Sequence, residues 1–206
     1  MDRDASLSGR PRPSSPRRRT ARQQDLLRRL VDLLAAEGFS QFTVDDLAER
    51  LRCSKTTLYA LAPSKQELVL EAVREYFRAS VPVVEARVEQ AGDPGERVTA
   101  YLLAVADYLR PLSREFLTDL LASRATADVY STNTAAAAAR IRTLIAEGIE
   151  AGSFRAVNAE FVAEVVAATM EAIQRGELFA RMEMTDAEAY AELASLVVHA
   201  LAVGRD

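Results

Sequence analysis

The sequence predicts an all-α protein of about nine helices, in which a three-helix unit containing a helix-turn-helix precedes a larger helical bundle. From residue 20 onward, apolar residues recur at intervals of three and four, and no stretch shows the alternation that is typical of strands. Ser, Thr, Asp or Asn precedes most of these periodic segments, as expected at helix starts. Three such start signals fall between residues 43 and 65, which is the spacing of short helices joined by tight turns.

The composition is that of an ordinary globular protein. Of the 206 residues, 49% are hydrophobic and 27% are charged, which is enough apolar content for a core. The one cysteine, Cys53, excludes an intrachain disulfide, and the single histidine leaves no cluster with zinc-site spacing, so we expect no metal and no cofactor. No apolar run approaches the roughly 18 residues of a membrane span, and the N-terminus lacks the apolar segment of a secretion signal. These features predict a cytoplasmic protein.

The first helix is predicted for residues 20–37. Thr20 is a suitable N-cap, and Gly38 suits the positive φ that often ends a helix. We expect the apolar face of this helix to pack across the next two helices. The residues of that face are Leu26, Leu27, Leu30, Val31, Leu33 and Leu34.

Residues 43–62 are predicted to form the helix-turn-helix. Thr43, Ser54 and Ser64 each offer a hydroxyl that can cap the helix that follows. Only Arg52 and Cys53 remain between the end of the first of these helices and the cap of the second, so the turn between them is tight.

The N-terminal end of the second helix in such a motif faces base edges in the major groove of DNA. Lys55, Thr56 and Thr57 lie at that end, and their side chains can bond to bases or phosphates. Tyr59 and Lys65 lie where they can hold the DNA backbone. The alternative is an ordinary polar helix start. The predicted DNA-contacting residues of the motif are Thr43, Ser54, Lys55, Thr56, Thr57, Tyr59 and Lys65.

A match to a known signature covers twelve positions of residues 43–68. They are Thr43, Leu47, Ala48, Leu51, Ser54, Thr57, Leu58, Tyr59, Pro63, Ser64, Lys65 and Leu68. At these positions the chain closely resembles the TetR/AcrR transcriptional regulators. Residues 144–155, LIAEGIEAGSFR, followed by an apolar helix, resemble an arrangement common in the regulatory halves of that family. The resemblance implies a homodimer that binds a palindromic operator and answers to a small molecule.

The sequence departs from the family pattern in the turn and after Tyr59. The turn of such proteins often carries a glycine near Arg52, so we expect Arg52 to adopt a left-handed backbone conformation at a cost of about 1 to 2 kcal/mol. The positions after Tyr59 usually include an aromatic residue or histidine that touches phosphate, and a phenylalanine often precedes the proline. This chain has Ala60, Leu61 and Ala62 there, so one family phosphate contact lacks its usual residue.

Residues 1–19 are predicted to form a flexible basic arm, because they are rich in Pro, Ser and Arg and poor in apolar residues. Arg17, Arg18 and Arg19 either lie along the duplex or in its minor groove, or belong to a solvated tail that adds only general attraction. Residues 1–65 carry 13 Lys and Arg against 8 Asp and Glu, a net charge of +5, whereas the rest carries 13 against 22, a net charge of −9. The basic excess therefore coincides with the predicted DNA-binding third.

The DNA-binding domain is predicted for residues 20–80, and a ligand-binding and dimerisation domain for residues 81–206. A fourth helix from Ser64 to about Glu89 crosses this boundary, and Pro82 is expected to kink or break it. The remaining helices are predicted for residues 93–110, 113–123, 126–151, 158–181 and from 185 to near the C-terminus.

The last two helices are predicted to form a four-helix interface with a second copy, as the resemblance implies. One face of each helix would meet its own core and the other the second copy. The residues assigned to the interface are Phe161, Val165, Ala168, Ala172, Tyr190, Leu193, Val197, Ala200 and Leu201.

In the family, the middle helices enclose a pocket for a small molecule. The candidates here are Tyr101, Tyr108, Phe116, Arg124 and Met170, and the alternative is that aromatic residues at this spacing are plain core. A largely apolar pocket with few polar groups suits a lipophilic ligand.

Together, the predictions describe a homodimeric, ligand-responsive repressor that binds a double-stranded palindromic operator and catalyses nothing. Two alternatives stay open. One is a constitutive regulator with a fully packed interior, and the other is an all-helical small-molecule carrier or enzyme. The second alternative lacks a nucleophile paired with a base, a metal cluster and a glycine-rich phosphate loop.

Overall fold

The computed structural model describes residues 19–175 and 184–203. Within these ranges the secondary structure is helical, apart from one isolated bridge between Phe154 and Ala202. The nine helices of these ranges are α1 (Ala21–Glu37), α2 (Val44–Arg50), α3 (Lys55–Tyr59), α4 (Lys65–Glu89), α5 (Pro94–Leu109), α6 (Arg114–Ala122), α7 (Arg124–Glu150), α8 (Ala159–Gln174) and α9 (Asp186–Leu201). The predicted all-α fold with about nine helices is confirmed.

Most helices begin at the capping residues that the sequence indicated. The exception is α7, which was predicted from residue 126 and begins at Arg124, after a Ser123 that makes no side-chain capping hydrogen bond. Thr20 and Thr43 form capping boxes at the starts of α1 and α2, and Asp93 and Thr185 do so for α5 and α9. Ser54 caps α3 by accepting a hydrogen bond from the amide three residues on. Each cap satisfies an amide that the helix cannot satisfy itself, so short helices such as α2 and α3 have defined starts.

The fourth helix continues through Pro82, so of the predicted kink or break the break does not occur. A proline lacks the amide hydrogen that the carbonyl four residues earlier would accept. Packing on both sides of the proline holds the helix together, because Phe77 and Val84 are both buried. The Ser80 hydroxyl also donates to the Phe77 carbonyl at 2.7 Å.

Two clusters of buried side chains make up the core. The first joins α1 to α4 and includes Leu30, Leu47 and Leu58, each with no exposed surface; Phe116 of α6 packs into it. The second joins the C-terminal half of α4 to α5, α7, α8 and α9. Leu109, at the end of α5, packs against both clusters. The short helix α6 contacts both α1 and α7, so it connects the N-terminal unit to the larger bundle.

Candidate nucleic-acid interface and interior cavity

Two features define the geometry of the helix-turn-helix: a left-handed residue in the turn and a buried leucine on α3. Arg52 has a φ of +51°, so it adopts the left-handed conformation expected from its position where glycine is common. Leu58 of α3 is fully buried, which fixes the rotation of that short helix. With Leu58 inward, the opposite face of α3 is turned to solvent.

The exposed face of α3 carries Lys55, Thr56 and Tyr59, and Tyr59 is 45% exposed. Ser54 and Thr57 are engaged with each other, since their hydroxyl oxygens lie 2.8 Å apart and the Thr57 amide donates to the Ser54 hydroxyl at 3.2 Å. Among the five predicted contact residues of this helix and its cap, Ser54 and Thr57 therefore stabilise the helix start, and the side chains of the other three are exposed.

Lys55 lies in an ion pair that the sequence analysis missed. Its ammonium is 2.5 Å from a carboxylate oxygen of Asp45 on α2, and both side chains are exposed. The hydrogen bond to Asp45 raises the pKa of Lys55 above its ordinary value. The pair joins the two helices of the motif, and a DNA phosphate would compete with Asp45 for the lysine.

Thr43 is committed to the cap of α2. Its hydroxyl donates to the Asp46 carboxylate at 2.7 Å, and its backbone amide donates to the same oxygen at 2.7 Å. The hydrogen bond from the Thr43 backbone amide is the larger cause of a lowered pKa of Asp46, and the hydrogen bond from the Thr43 hydroxyl is the next. The carboxylate thus stays charged at the helix N-terminus, where negative charge is favourable.

The basic residues flanking the motif differ in placement. Lys65, at the start of α4, donates to the backbone carbonyl of Ser40 at 3.1 Å. Arg19 forms an ion pair with Glu71 of α4 at 2.5 Å. Arg17 and Arg18 lie outside the described residues.

Two residues of α1 that the sequence analysis did not assign connect that helix to the motif. Arg29 donates to the carbonyl of Leu51, at the end of α2, and Gln23 donates to the carbonyl of Ala60 at 3.3 Å. Polar side chains on an exposed face give no sequence signal for such contacts, because the partner carbonyls lie 22 and 37 positions away.

A cavity of about 190 Å³ lies in the bundle between α4, α5, α7 and α8. Three of the five predicted pocket residues, Tyr101, Tyr108 and Met170, line it. The other two do not: Phe116 is buried in the first core cluster, and the side chain of Arg124 is 95% exposed at the start of α7. The prediction put Phe116 in the pocket, but the residue lies outside it because α6 packs on the N-terminal unit.

The cavity wall contains an ion pair that the sequence analysis also missed. Arg140 of α7 donates through two nitrogens to the two carboxylate oxygens of Glu85 on α4, at 2.9 and 2.8 Å. This hydrogen bonding raises the pKa of Arg140. Tyr101 lies beside the pair, and burial, followed by the Glu85 charge, raises its pKa to about 12. The phenol is therefore protonated at neutral pH.

The predicted interface residues on α8 and α9 separate into two groups. Phe161 is 67% exposed and Val165 is 47% exposed, Ala168 is exposed, and Ala172 is half-buried. Of the five residues assigned on α9, Ala200 is the exposed one, and Leu196, which was not assigned, is 68% exposed. The other four assigned residues lie in the chain's own core: Tyr190, Leu193, Val197 and Leu201. The apolar residues that recur at helical spacing along α9 indicated a buried face. In the structure that face packs chiefly on α5.

Within residues 19–175 and 184–203, no helix has the length and apolar content required to cross a bilayer. The same ranges contain no group of three or more His, Cys, Asp or Glu residues placed to hold a metal ion.

The N-terminal region of the chain is similar in sequence to known proteins. Residues 26–72 match the model of the bacterial regulatory proteins of the tetR family. An uncharacterised HTH-type transcriptional regulator of Mycobacterium tuberculosis is 42% identical over 67 residues, which are 32% of this chain and 33% of that protein. The HTH-type regulator YvaF of Bacillus subtilis is 37% identical over 90 residues, 43% of this chain and 46% of that protein. The chain thus spans between a third and a half of the length of these curated relatives.

Solved structures match over most of the chain. A transcriptional regulator from Cytophaga hutchinsonii superposes with a TM-score of 0.74 at 14% identity, covering 89% of this chain and 100% of that one. A regulator from Saccharomonospora viridis in complex with choline has a TM-score of 0.74 at 19% identity, covering 89% and 98%. The TetR-family regulator PfmR from Thermus thermophilus has a TM-score of 0.59 at 21% identity, covering 87% and 99%. At these identities the comparisons establish a shared fold.

Proposed function

We propose that this chain, whose residues 26–72 match the model of the tetR family of bacterial regulatory proteins, is a homodimeric, ligand-responsive transcriptional repressor of that family. It binds a palindromic operator, acts in the cytoplasm and catalyses no reaction. Residues 20–80 form its DNA-binding domain, and residues 81–206 hold the effector and the dimer interface.

One observation carries the DNA-binding proposal: the solvent-facing side of α3 presents Lys55, Thr56 and Tyr59 while Leu58 holds the helix from behind. A helix in this position of the motif enters the major groove with its N-terminal end toward the bases. Thr56 then reads a base edge, because its exposed side chain has both a hydroxyl and a methyl group. Tyr59 and Lys65 hold phosphates, and Lys55 exchanges Asp45 for DNA.

Dimerisation is proposed through α8 and α9. Phe161, Val165 and Leu196 are large apolar side chains left exposed on these two adjacent helices. Apolar residues in such numbers on neighbouring helices are typical of interaction surfaces. A second copy related by a two-fold axis would bury them and would place two α3 helices on the two halves of a palindrome.

The cavity supports response to an effector over constitutive regulation. Well-packed interiors leave few voids larger than a water molecule, whereas this cavity measures about 190 Å³ and contains polar groups as well as aromatic rings. The structural neighbour from Saccharomonospora viridis is described in complex with choline. We therefore propose that a small molecule in the cavity releases the protein from its operator.

The decisive experiment is selection of bound sequences from a random duplex pool by the purified protein. We expect enrichment of an inverted repeat, with affinity that falls steeply with salt because phosphate contacts release counterions. Absence of enrichment at low salt would contradict DNA-specific regulation.

Two variants separate base from backbone contacts. Thr56→Ala should change which bases are preferred at one position of each half-site, whereas Tyr59→Phe should weaken binding to all sequences alike. Thr132→Ala, an exposed threonine of α7, serves as the matched control and should change neither. If Thr56→Ala and Tyr59→Phe only scale affinity, the assignment of these two contacts is wrong.

A further inference from the structure

The size of the cavity limits what it can hold. A cavity of about 150 Å³ lined by apolar side chains accommodates benzene, and this one measures about 190 Å³. It therefore fits one aromatic ring with a short substituent, and it is smaller than the pockets of roughly 300 Å³ and more that hold drug-sized ligands. Phe77, Tyr101, Tyr130 and Met170 supply aromatic and sulfur-containing walls for such a ring.

The charges in the cavity wall compensate each other. Among its described lining residues, Glu85 and Arg140 are the charged ones, and they form the two-pronged pair at 2.9 and 2.8 Å. Both carboxylate oxygens and two guanidinium nitrogens are occupied by this pair, and the third nitrogen lies 3.9 Å from a carboxylate oxygen of Glu147, outside the lining. A carboxylate ligand would have to displace Glu85, and an ammonium ligand would have to displace Arg140. Either would leave a partly buried charge without its partner, which is unfavourable.

Two uncharged polar groups of the wall are available to a ligand. The Tyr101 hydroxyl and the Asn133 amide have no hydrogen-bond partner among the described residues, although both residues line the cavity and Tyr101 is only 6% exposed. The neighbouring Ser80 and Thr134 hydroxyls instead donate to carbonyls of their own helices. Asn133 is half-buried, and neither side-chain group is fully enclosed by protein atoms, so both have room to bond to a molecule in the cavity. Tyr101 and Asn133 therefore indicate where a ligand hydrogen bond would form.

We propose that the effector is an uncharged molecule the size of a single substituted ring, bearing a hydroxyl or carbonyl group that bonds to Tyr101 and Asn133. The inference rests on the proposed effector-responsive function. The Glu85–Arg140 pair sets the selectivity, because it excludes carboxylates and ammonium compounds of the same shape.

Three matched probes test this ligand class: 2-phenylethanol, phenylacetate and phenethylammonium. Their dissociation constants from the purified full-length chain at neutral pH are measured by calorimetry or ligand-detected NMR. We expect 2-phenylethanol to bind at least about tenfold more tightly than either charged probe. The proposal is overturned if a charged probe binds as tightly as the alcohol, or if none of the three binds.

Substitutions in the pair should change the order of the three affinities. Glu85→Gln removes the hydrogen-bonded counter-charge of Arg140, which keeps only the Glu147 carboxylate at 3.9 Å, and should make phenylacetate the preferred probe. Arg140→Gln should favour phenethylammonium in the same way. Arg87→Gln, which alters an arginine paired with Asp107 away from the cavity lining, is the matched control and should keep the wild-type order. An unchanged order in folded Glu85→Gln protein would refute charge compensation as the cause of selectivity.

Tyr101→Phe tests the hydrogen bond without touching the ion pair. The variant should bind 2-phenylethanol about tenfold more weakly while its affinity for ethylbenzene, which has no hydroxyl, stays unchanged. Equal losses for both probes would assign Tyr101 a packing role only. Because these measurements contain no DNA, binding of the alcohol without operator selection refutes the proposed regulator alone, and an operator without alcohol binding refutes this inference alone.

Discussion

Tyr76 and Tyr108 exchange hydrogen bonds, since the hydroxyl of each donates to the backbone carbonyl of the other. The donor–acceptor distances are 2.5 Å from Tyr76 and 2.9 Å from Tyr108, and the ring centroids are 4.9 Å apart. Burial raises the pKa of both phenols, so both remain protonated donors at neutral pH. The exchange joins the middle of α4 to the last turn of α5 at the edge of the cavity.

The two bonds should contribute unequally. The Tyr108 carbonyl lies in the last turn of α5, where helical carbonyls lack intrahelical donors, whereas the Tyr76 carbonyl lies within α4 and keeps a helical amide. We expect Tyr76→Phe to lower the free energy of unfolding by about 1 to 2 kcal/mol, and Tyr108→Phe by about 0.5 to 1 kcal/mol.

Urea denaturation of the two variants measures the difference. The exposed Tyr59→Phe is the control and should stay within about 0.5 kcal/mol of the wild type. A larger loss for Tyr108→Phe than for Tyr76→Phe would contradict the role of the Tyr76 hydroxyl as a cap of α5.

Asp119 connects α6 to the loop between α1 and α2. One carboxylate oxygen accepts hydrogen bonds from the amides of Phe39 at 2.6 Å and Ser40 at 2.8 Å. Burial tends to raise the pKa of Asp119, but these hydrogen bonds outweigh it and the pKa lies below the ordinary value of 3.8. We expect Asp119→Ala to lower the free energy of unfolding by about 1 to 2 kcal/mol at neutral pH.

The effect of Asp119→Ala should depend on pH in one direction. A carboxyl whose folded pKa is depressed stabilises the fold above its unfolded pKa, and the contribution disappears as pH falls through the folded pKa. The stability difference from wild type should therefore be constant near neutrality and shrink below about pH 4. Asp128→Ala on the exposed face of α7 is the control. A difference that persists unchanged into acid would mean that packing, and not the charged hydrogen bonds, is responsible.

Local signals explain what the sequence predicted well. Caps such as Thr20 and Thr43 act within three residues, so their pattern is visible in the chain itself. Contacts between residues of different segments were missed: Asp45 with Lys55, Glu85 with Arg140, and Asp119 with Phe39. No local pattern encodes the relative placement of the helices and the loop that these contacts join.

The sequence also did not show which partner buries the apolar face of α9. A helical apolar period identifies a buried face but does not say whether the burying partner is the same chain or another. Tyr190 and Leu193 belong to the chain's own core, whereas Leu196, three residues after Leu193, is exposed. Of the α9 residues assigned from the sequence, Ala200 therefore stays on the candidate interface, and the structure adds Leu196.

The left-handed turn at Arg52 offers a stabilising substitution. Its φ of +51° is unfavourable for a residue with a Cβ atom by about 1 to 2 kcal/mol. Glycine removes that strain but makes the unfolded chain more flexible, which offsets about 0.4 to 1 kcal/mol. We expect Arg52→Gly to raise the free energy of unfolding by about 0.5 to 1 kcal/mol.

Thermal and urea denaturation measure the effect of Arg52→Gly, and Arg52→Ala is the matched control. Alanine removes the same exposed side chain but keeps the strain, so it should give no stabilisation. If both variants change stability equally, the arginine side chain and not its backbone conformation determines the result.

The exposed apolar side chains on α8 and α9 allow a direct test of the proposed dimer. Phe161→Glu and Leu196→Glu place a charge on side chains that are 67% and 68% exposed in the single chain. Folding of the protomer should be little affected, because neither position is buried within it. Association should weaken strongly, since the charge would be buried without a partner at the two-fold interface.

Sedimentation velocity gives the oligomeric state, and circular dichroism checks the fold of each variant. Val83→Glu, which alters a residue 51% exposed on α4, is the matched control and should remain dimeric. Loss of the dimer in Phe161→Glu and Leu196→Glu should be accompanied by weaker binding to an inverted repeat, because two linked α3 helices bind the two half-sites with a high effective concentration. A folded Leu196→Glu protein that stays dimeric would place the interface on another surface.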